Sequence, residues 1–323
     1  MDGLGAMRVA AIDIGTNTVL LLIAEVQGDR LLPLHQEQRF GRLGQGVERS
    51  GRLQEAAVER VLRILRDYAR QARAWGAERI GAVATSAVRE ASNPEALLDR
   101  AWQELGLHIE VLSGEEEAYW SFLGVRSAFP EAGGLIVLDI GGGSTELIQG
   151  TGEGVGFRQS LPLGCVRLTE RFFPIQPPEP EQISAARRWI GATLASLPRF
   201  DVRLPLIGVA GTVTSLAALE AGLLRYEAGR IERYWIAEER VRDWIRRLGA
   251  MAPEEVLALG PEILAGRADV WLAGLLILEG VLEHLQAPGL YASDRGLRYG
   301  WALRLAGNFP SDPRVAFFDL PSG

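Results

Sequence analysis

Acidic residues placed where apolar runs end are the chemistry-bearing positions of this sequence. Asp139 follows Gly134-Leu135-Ile136-Val137-Leu138, a run that reads as a buried strand, and leads into Ile140, three consecutive glycines (Gly141 to Gly143), Ser144, Thr145 and Glu146. Three glycines leave a turn without side-chain bulk, so backbone N–H groups can approach a phosphate closely while Asp139 faces a metal or a water. A glycine run alone is a weak signal. Here it has an echo, because Asp13-Ile14-Gly15-Thr16-Asn17-Thr18 repeats the pattern after the apolar run Val9 to Ile12. One copy would read as an ordinary hairpin turn. Two copies read as a duplicated strand–turn–strand unit with a phosphate cleft between its halves.

Three more acids stand together in Ser113-Gly114-Glu115-Glu116-Glu117-Ala118. Ser113 and Glu116 have capping-box spacing, which gives Glu116 a structural task, and Glu115 is a first-turn acid favoured by the helix dipole. Glu117 has no such explanation. On a helix it shares a face with Ser121 and Gly124, and the helix links the two halves, so its first turn is expected to overlook the space between the Asp13 and Asp139 turns.

Composition removes competing chemistries. All 34 basic residues are arginine, and without lysine neither a Walker-type P-loop nor Schiff-base chemistry is available. Three scattered histidines, His35, His108 and His284, have no metal-site or catalytic-pair spacing. A single cysteine, Cys165, excludes an internal disulfide and agrees with a reducing compartment. Carboxylates are left to do any acid–base work. A net charge of −7 argues against nonspecific nucleic-acid binding, so local arginines must draw in an anionic substrate. No apolar run reaches the roughly 20 residues of a membrane span and the start lacks the form of a signal peptide, so a cytoplasmic protein is expected.

The elements that position these acids alternate between strand and helix, an α/β signature. Strands are predicted near 9–12, 19–26, 31–39, 79–85, 109–112, 134–138, 145–149 and 154–163, and strands running into glycine turns over 204–212 and 290–298. Helices are predicted over 53–75, from 93–95 to 106, from 113, and over 166–173, 181–197, 214–223, 238–248, 270–284 and up to 305. Arg89 emerges after the strand 79–85 in a loop at its carboxyl end, where α/β sheets place ligands. Gly208 to Thr212 form a third strand-to-glycine turn suited to an anion.

In order along nearly the whole chain, Asp13 to Asn17, Arg42-Leu43-Gly44-Gln45-Gly46, Ala84 to Ala91, Ser113 to Ala118, Asp139 to Glu146, Ser160 to Gly164 and Gly208 to Thr212 resemble the family of exopolyphosphatases and guanosine pentaphosphate phosphohydrolases. The resemblance implies the actin/Hsp70/sugar-kinase fold: a duplicated ribonuclease H-like α/β architecture of two lobes with an interdomain cleft. The lobes would be residues 1–124 and 125–310, with a closing helix 296–307 packed back onto the first and an irregular tail over 311–323. It makes Glu117 the base that activates the attacking water and Arg89 a catalytic arginine that holds phosphate. It makes Asp139, Glu146 and Asp13 metal carboxylates for Mg2+ or Mn2+, and Thr16, Asn17, Gly141, Gly142, Gly143, Ser144, Gly211 and Thr212 phosphate holders. In-line phosphoryl transfer asks for a positioned water and charge neutralisation and little else, and a cleft glutamate away from water has the raised pKa of a base.

Two features depart from the family pattern. The usual closing Arg-Glu-Gly appears as Arg298-Tyr299-Gly300, and the additional helical domain of longer members is expected to be missing, as in a short two-domain subgroup. The expected activity is removal of the terminal phosphate of inorganic polyphosphate by a soluble homodimer. Three rivals remain: hydrolysis of pppGpp at the same site, a small-molecule kinase on the same fold, and a nonenzymatic nucleotide- or polyphosphate-binding regulator.

Overall fold

The computed structural model of the chain describes residues 6–28, 30–152, 154–198, 200 and 203–307. Residues 1–5 and the expected irregular tail, 311–323, lie outside them. Packing divides the chain into two compact units, Met1–Glu131 with Glu153–Gln159 and Arg295–Gly323, and Ala132–Gly152 with Ser160–Asp294.

The first unit is built from β1 (Met7–Ile14), β2 (Thr18–Gln27), β3 (Arg30–Phe40), α1 (Val47–Ser50), α2 (Glu55–Ala74), β4 (Arg79–Ala84), α3 (Ser86–Glu90), α4 (Glu95–Leu105), β5 (Ile109–Val111) and α5 (Gly114–Arg126). Its sheet has the order β3-β2-β1-β4-β5, with β1 antiparallel to β2 and parallel to β4. β1 is buried on both faces, which is why it reads as a continuous apolar run without alternation. Ala10, Ile12 and Ile14 face one core together with Val58, Val61, Leu62, Leu65 and Tyr68 of α2. The arginines of α2 lie on its other side, and the Tyr68 hydroxyl ends in a hydrogen bond to the Val19 carbonyl.

The second unit continues with β6 (Gly134–Ile140), β7 (Thr145–Thr151), β8 (Val155–Leu161, grouped with the first unit as far as Gln159), α6 (Cys165–Phe172), α7 (Pro180–Leu194), β9 (Leu206–Val209), α8 (Ala210–Glu220), α9 (Ala228–Ile231), β10 (Trp235–Ala237), α10 (Glu238–Leu248), α11 (Pro253–Ala258), α12 (Pro261–Leu264), α13 (Ala268–Leu285) and β11 (Gly289–Ala292). Its sheet order is β10-β11-β9-β6-β7-β8. The largely apolar α13 is buried from Val270 to Glu279 and at Val281, Leu282 and Leu285, and packs against α6, α7 and α10.

Read from the edge, β8-β7-β6-β9-β11 repeats β3-β2-β1-β4-β5, with the same antiparallel and parallel pairings about the central strand. The repeat extends to single residues. Asp13 pairs in register with Leu20 and Ile14 with Val19; Asp139 pairs with Glu146 and Ile140 with Thr145. Both turns close with the same bond, Gly15 N–H to Thr18 C=O and Gly141 N–H to Ser144 C=O, each 2.9 Å. The chain therefore has the duplicated ribonuclease H-like α/β fold of the actin/Hsp70/sugar-kinase class.

A last helix, α14 (Leu297–Leu305), packs on α5, β1 and β2 in the first unit. Its contact with α5 is backbone to backbone. A Cβ on Gly124 would lie 2.1 Å from the Gly296 carbonyl oxygen, and one on Gly300 would lie 1.9 Å from that of Trp120. At these two glycines no side chain fits, so α5 is held by main-chain contact just beyond its first turns.

Sequence and structure differ where helices begin. α8 starts at Ala210, four residues ahead of the predicted 214, so Gly211 and Thr212 form its first turn and not a turn before it. Ala210 holds a left-handed φ of 64°, which lets the chain pass directly from strand to helix. Arg89 lies in the short α3, not in a loop. The stretch from Ala228 to Leu264, outside α10, forms the short elements α9, β10, α11 and α12, none longer than six residues and thus too short to show a period.

Candidate active site

In the first unit the predicted residues stand at the carboxyl ends of the parallel strands. The Asp13 turn ends β1, Thr85 N–H bonds to the Ile14 carbonyl where β4 ends, and Leu112 N–H bonds to the Ala84 carbonyl where β5 ends. The loop Arg42 to Gly46 lies on the first glycine turn, with Arg42 N–H on the Asn17 carbonyl (2.9 Å) and Gly44 N–H on the Thr16 carbonyl (2.8 Å). This fixes Thr16, which is buried, and turns the carbonyls of residues 16 and 17 towards the loop.

α5 begins at the Ser113 cap. Its capping box is complete: Glu116 N–H donates to Ser113 Oγ at 3.2 Å and Ser113 N–H donates to Glu116 Oε2 at 2.8 Å. With Glu116 turned back on the cap, Glu117 points elsewhere and is buried, 8% exposed. Arg89 Nη1 donates to Glu117 Oε2 at 2.9 Å and to the Leu112 carbonyl at 2.8 Å. One guanidinium thus ties the end of β5 to Glu117, the first-turn acid that neither the capping box nor the helix dipole accounts for.

In the second unit Asp139 and Glu146 sit opposite each other on neighbouring strands, so their side chains leave the same face of the sheet, about 5 Å apart at Cβ. Glu146 is 1% exposed and accepts a hydrogen bond from Ser160 Oγ at 2.7 Å. Two adjacent carboxylates are a fit for a divalent cation whose other ligands are water and phosphate oxygens. Among the described residues no group of three or more His, Cys, Asp or Glu side chains forms a metal cluster.

The glycine turn after Asp139 is oriented by α6. The Gly141 carbonyl accepts from Cys165 N–H (3.0 Å), the Gly142 carbonyl from Val166 and Arg167 N–H (2.9 and 3.2 Å), and the Gly143 carbonyl from Arg167 Nε (2.8 Å). In a trans peptide C=O and the following N–H point in opposite directions. With three carbonyls committed to α6, the N–H groups of Gly142, Gly143 and Ser144 are directed away from it, as an anion cradle requires. The contact is close: a Cβ on Gly164 would lie 2.2 Å from the Gly142 oxygen. Cys165, at the same junction, is buried and its thiol is pushed up to about 11 by desolvation.

The α8 start is held from α13 and the residue before it. A Cβ on Gly211 would lie 2.0 Å from Arg267 Nη1, one on Gly274 would lie 2.3 Å from Thr212 Oγ1, and Trp271 Nε1 donates to the Thr212 carbonyl at 3.2 Å. Arg267 is fully desolvated, which lowers its pKa, and donates to Ser215 Oγ at 3.0 Å.

The first unit thus carries Asp13, Thr16, Asn17, Arg89 and Glu117, and the second Asp139, Gly141 to Ser144, Glu146, Gly211 and Thr212. Sequence reasoning missed Arg167, Arg267 and Ser160 as supports of these residues. Ser160 opens the recognisable stretch Ser160 to Gly164 and Arg167 follows it, but only tertiary packing shows what they hold; a buried Arg267 contradicts the usual placement of arginine outside. Tyr299, in place of the familiar glutamate, is 2% exposed, with the guanidiniums of Arg295 and Arg298 at 5.3 and 5.6 Å from its ring centroid. It keeps two arginines in place by cation–π contact, where a carboxylate would do so by charge.

The fold is that of the actin-like class. Residues 22–309 match the family described as the Ppx/GppA phosphatase family, and the chain belongs to it. It is 37% identical over 317 residues to exopolyphosphatase 2 of Mycobacterium tuberculosis, covering 93% of this chain and 99% of that protein. The crystal structure of the Aquifex aeolicus Ppx/GppA family member is 34% identical, with 94% and 100% of the two chains covered and a TM-score of 0.79. An exopolyphosphatase from Cytophaga hutchinsonii is 28% identical, covers 93% and 98%, and superposes with a TM-score of 0.83. Among the described residues no helix is long and apolar enough to cross a membrane.

Proposed function

We propose that the protein is a metal-dependent exopolyphosphatase that removes the terminal phosphate of inorganic polyphosphate. The observation that carries this reading is the turn after Asp139, where three carbonyls are tied to α6 and three N–H groups face the other way, immediately beside the paired carboxylates Asp139 and Glu146. An anion cradle next to a cation-capable pair is what a phosphoanhydride with its counterion needs. Membership of a phosphatase family and the exopolyphosphatase names of its relatives support the substrate class.

In the reaction, Glu117 takes the proton of a water as its oxygen attacks the terminal phosphorus. The P–O bond to the bridging oxygen breaks, giving orthophosphate and a chain one unit shorter. Arg89 orients Glu117, and the N–H groups of residues 142–144, the first turn of α8 and the Asp13 turn hold phosphate oxygens. Asp139 and Glu146, with Asp13 as a further carboxylate, would hold Mg2+ or Mn2+, which supplies charge neutralisation at the transferring oxygens. The protein works as a homodimer in the cytoplasm.

Hydrolysis of pppGpp at the same site is the alternative reading, because its terminal phosphoanhydride asks for the same chemistry. Phosphate release from short polyphosphate, long polyphosphate and pppGpp, each with and without chelator, tests the reading. Chelator-sensitive release that is fastest from polyphosphate is expected. Release from pppGpp alone would assign the nucleotide, and tight binding of all three without release would make the protein a binding regulator.

A further inference from the structure

The first turn of α5 is held by a second cation that neither motif nor composition singled out. Arg158, in the part of β8 that packs with the first unit, has a side chain only 3% exposed. Its Nη2 lies 3.2 Å from Glu115 Oε2, and its guanidinium is 5.9 Å from the centre of the Tyr119 ring. Arginine is seldom buried to this degree, so the fork is held in a fixed place by its surroundings.

The two contacts of Arg158 share a helix face, because residues 115 and 119 are four apart. Glu117 lies about 200° around the axis from Glu115, at about 100° per residue, and is gripped there by Arg89. The start of α5 is therefore held between two guanidiniums on opposed faces, one on the carboxylate of interest and one behind it. A carboxylate about 6 Å from the helix axis moves by about 1 Å for a roll of about 10°. Misplacement by about 1 Å can cost about a hundredfold in rate.

We propose that Arg158 is a positioning residue for the hydrolysis: through Glu115 and Tyr119 it sets the roll of α5, and with it the direction in which Glu117 meets the attacking water. This rests on the assignment of Glu117 as the base.

The test measures kcat, KM and melting temperature on polyphosphate of one chain length for Arg158→Gln, Arg158→Lys, Glu115→Gln, the double variant Arg158→Gln/Glu115→Gln, and Glu117→Gln in the same assay. Arg158→Gln is expected to lower kcat about 10- to 100-fold with KM within about twofold. Lysine should recover part of the loss. Glu115 is 68% exposed, so Glu115→Gln keeps the fold and its melting temperature while lowering kcat several-fold. The double variant should be no slower than Arg158→Gln alone. Wild-type kcat in Glu115→Gln or in folded Arg158→Gln, or additive losses in the double variant, would overturn the proposal; if Arg158→Gln does not fold, Glu115→Gln decides alone. An inactive Glu117→Gln beside unaffected Glu115→Gln confines the failure to Arg158. A fully active Glu117→Gln overturns the base assignment and this proposal together.

Discussion

Arg89 and Glu117, 28 residues apart, meet at 2.9 Å with their side chains 23% and 11% exposed. A largely buried pair of this kind does not exist for stability, since desolvation of both charges offsets much of their attraction. Its geometric effect is clearer: the guanidinium also holds the Leu112 carbonyl, so Glu117 is aimed relative to the end of β5. Arg89→Gln is expected to lower kcat by about 10- to 1000-fold, the scale of a lost orienting contact near reacting atoms. Arg89→Lys should restore the charge but not the two-point grip, and remain impaired. Steady-state phosphate release checks both. Wild-type kcat in Arg89→Gln would remove Arg89 from the machinery.

Gly164 is placed where no other residue fits, since any Cβ would press on the Gly142 carbonyl at 2.2 Å. Gly164→Ala must push the glycine turn away from α6 and release the carbonyls that orient it. Loss of about 1–3 kcal/mol in stability is expected, together with weaker phosphate binding, read as a raised KM. Thermal unfolding and kinetics of one variant test both effects. An unchanged KM would mean that the N–H groups of residues 142–144 do not hold substrate.

Asp139 and Glu146 share a register position across two strands. If they hold the divalent cation, Asp139→Asn and Glu146→Gln raise the concentration of Mg2+ or Mn2+ needed for half-maximal rate, each by about tenfold or more. A calorimetric titration of the metal without substrate gives the same answer independently of turnover. Variants that bind metal as the parent does would place the ion elsewhere.

Glu220 accepts hydrogen bonds from Arg240 Nε and Nη2 and from Trp244 Nε1. The Arg240 guanidinium, above all, holds its carboxyl below the usual carboxylate range against the opposing effect of burial. A depressed folded pKa contributes stability above the unfolded value of about 4.3 and loses it as pH falls through the folded value. Unfolding midpoints measured from pH 7 to pH 3 should therefore fall more steeply for the parent than for Glu220→Gln. Parallel curves would show that Glu220 does not contribute to acid sensitivity.

Much of this architecture could be read before the fold was known because it is written in short local patterns. The Asp-Ile-Gly repeat, the buried strands before it and the Ser113/Glu116 capping box all depend on neighbours within a few residues, and each formed as expected. The start of α8 was misplaced because glycine at 211 signals a turn, whereas here it makes room for Arg267 within the first helical turn. Nothing local in the sequence could show that the Gly141 to Gly143 carbonyls bond to a helix starting at residue 165, or that Arg158 reaches Glu115. Those contacts arise from tertiary packing between segments more than 20 residues apart, and they decide how the site residues point.

Glu117→Gln tests the account most directly, because glutamine keeps the shape and the Arg89 contact while removing the ability to take a proton. Phosphate release from polyphosphate should fall by about 10²- to 10⁴-fold, with equilibrium binding of the chain within a few-fold of the parent. Parental turnover in a correctly folded Glu117→Gln protein would contradict the mechanism.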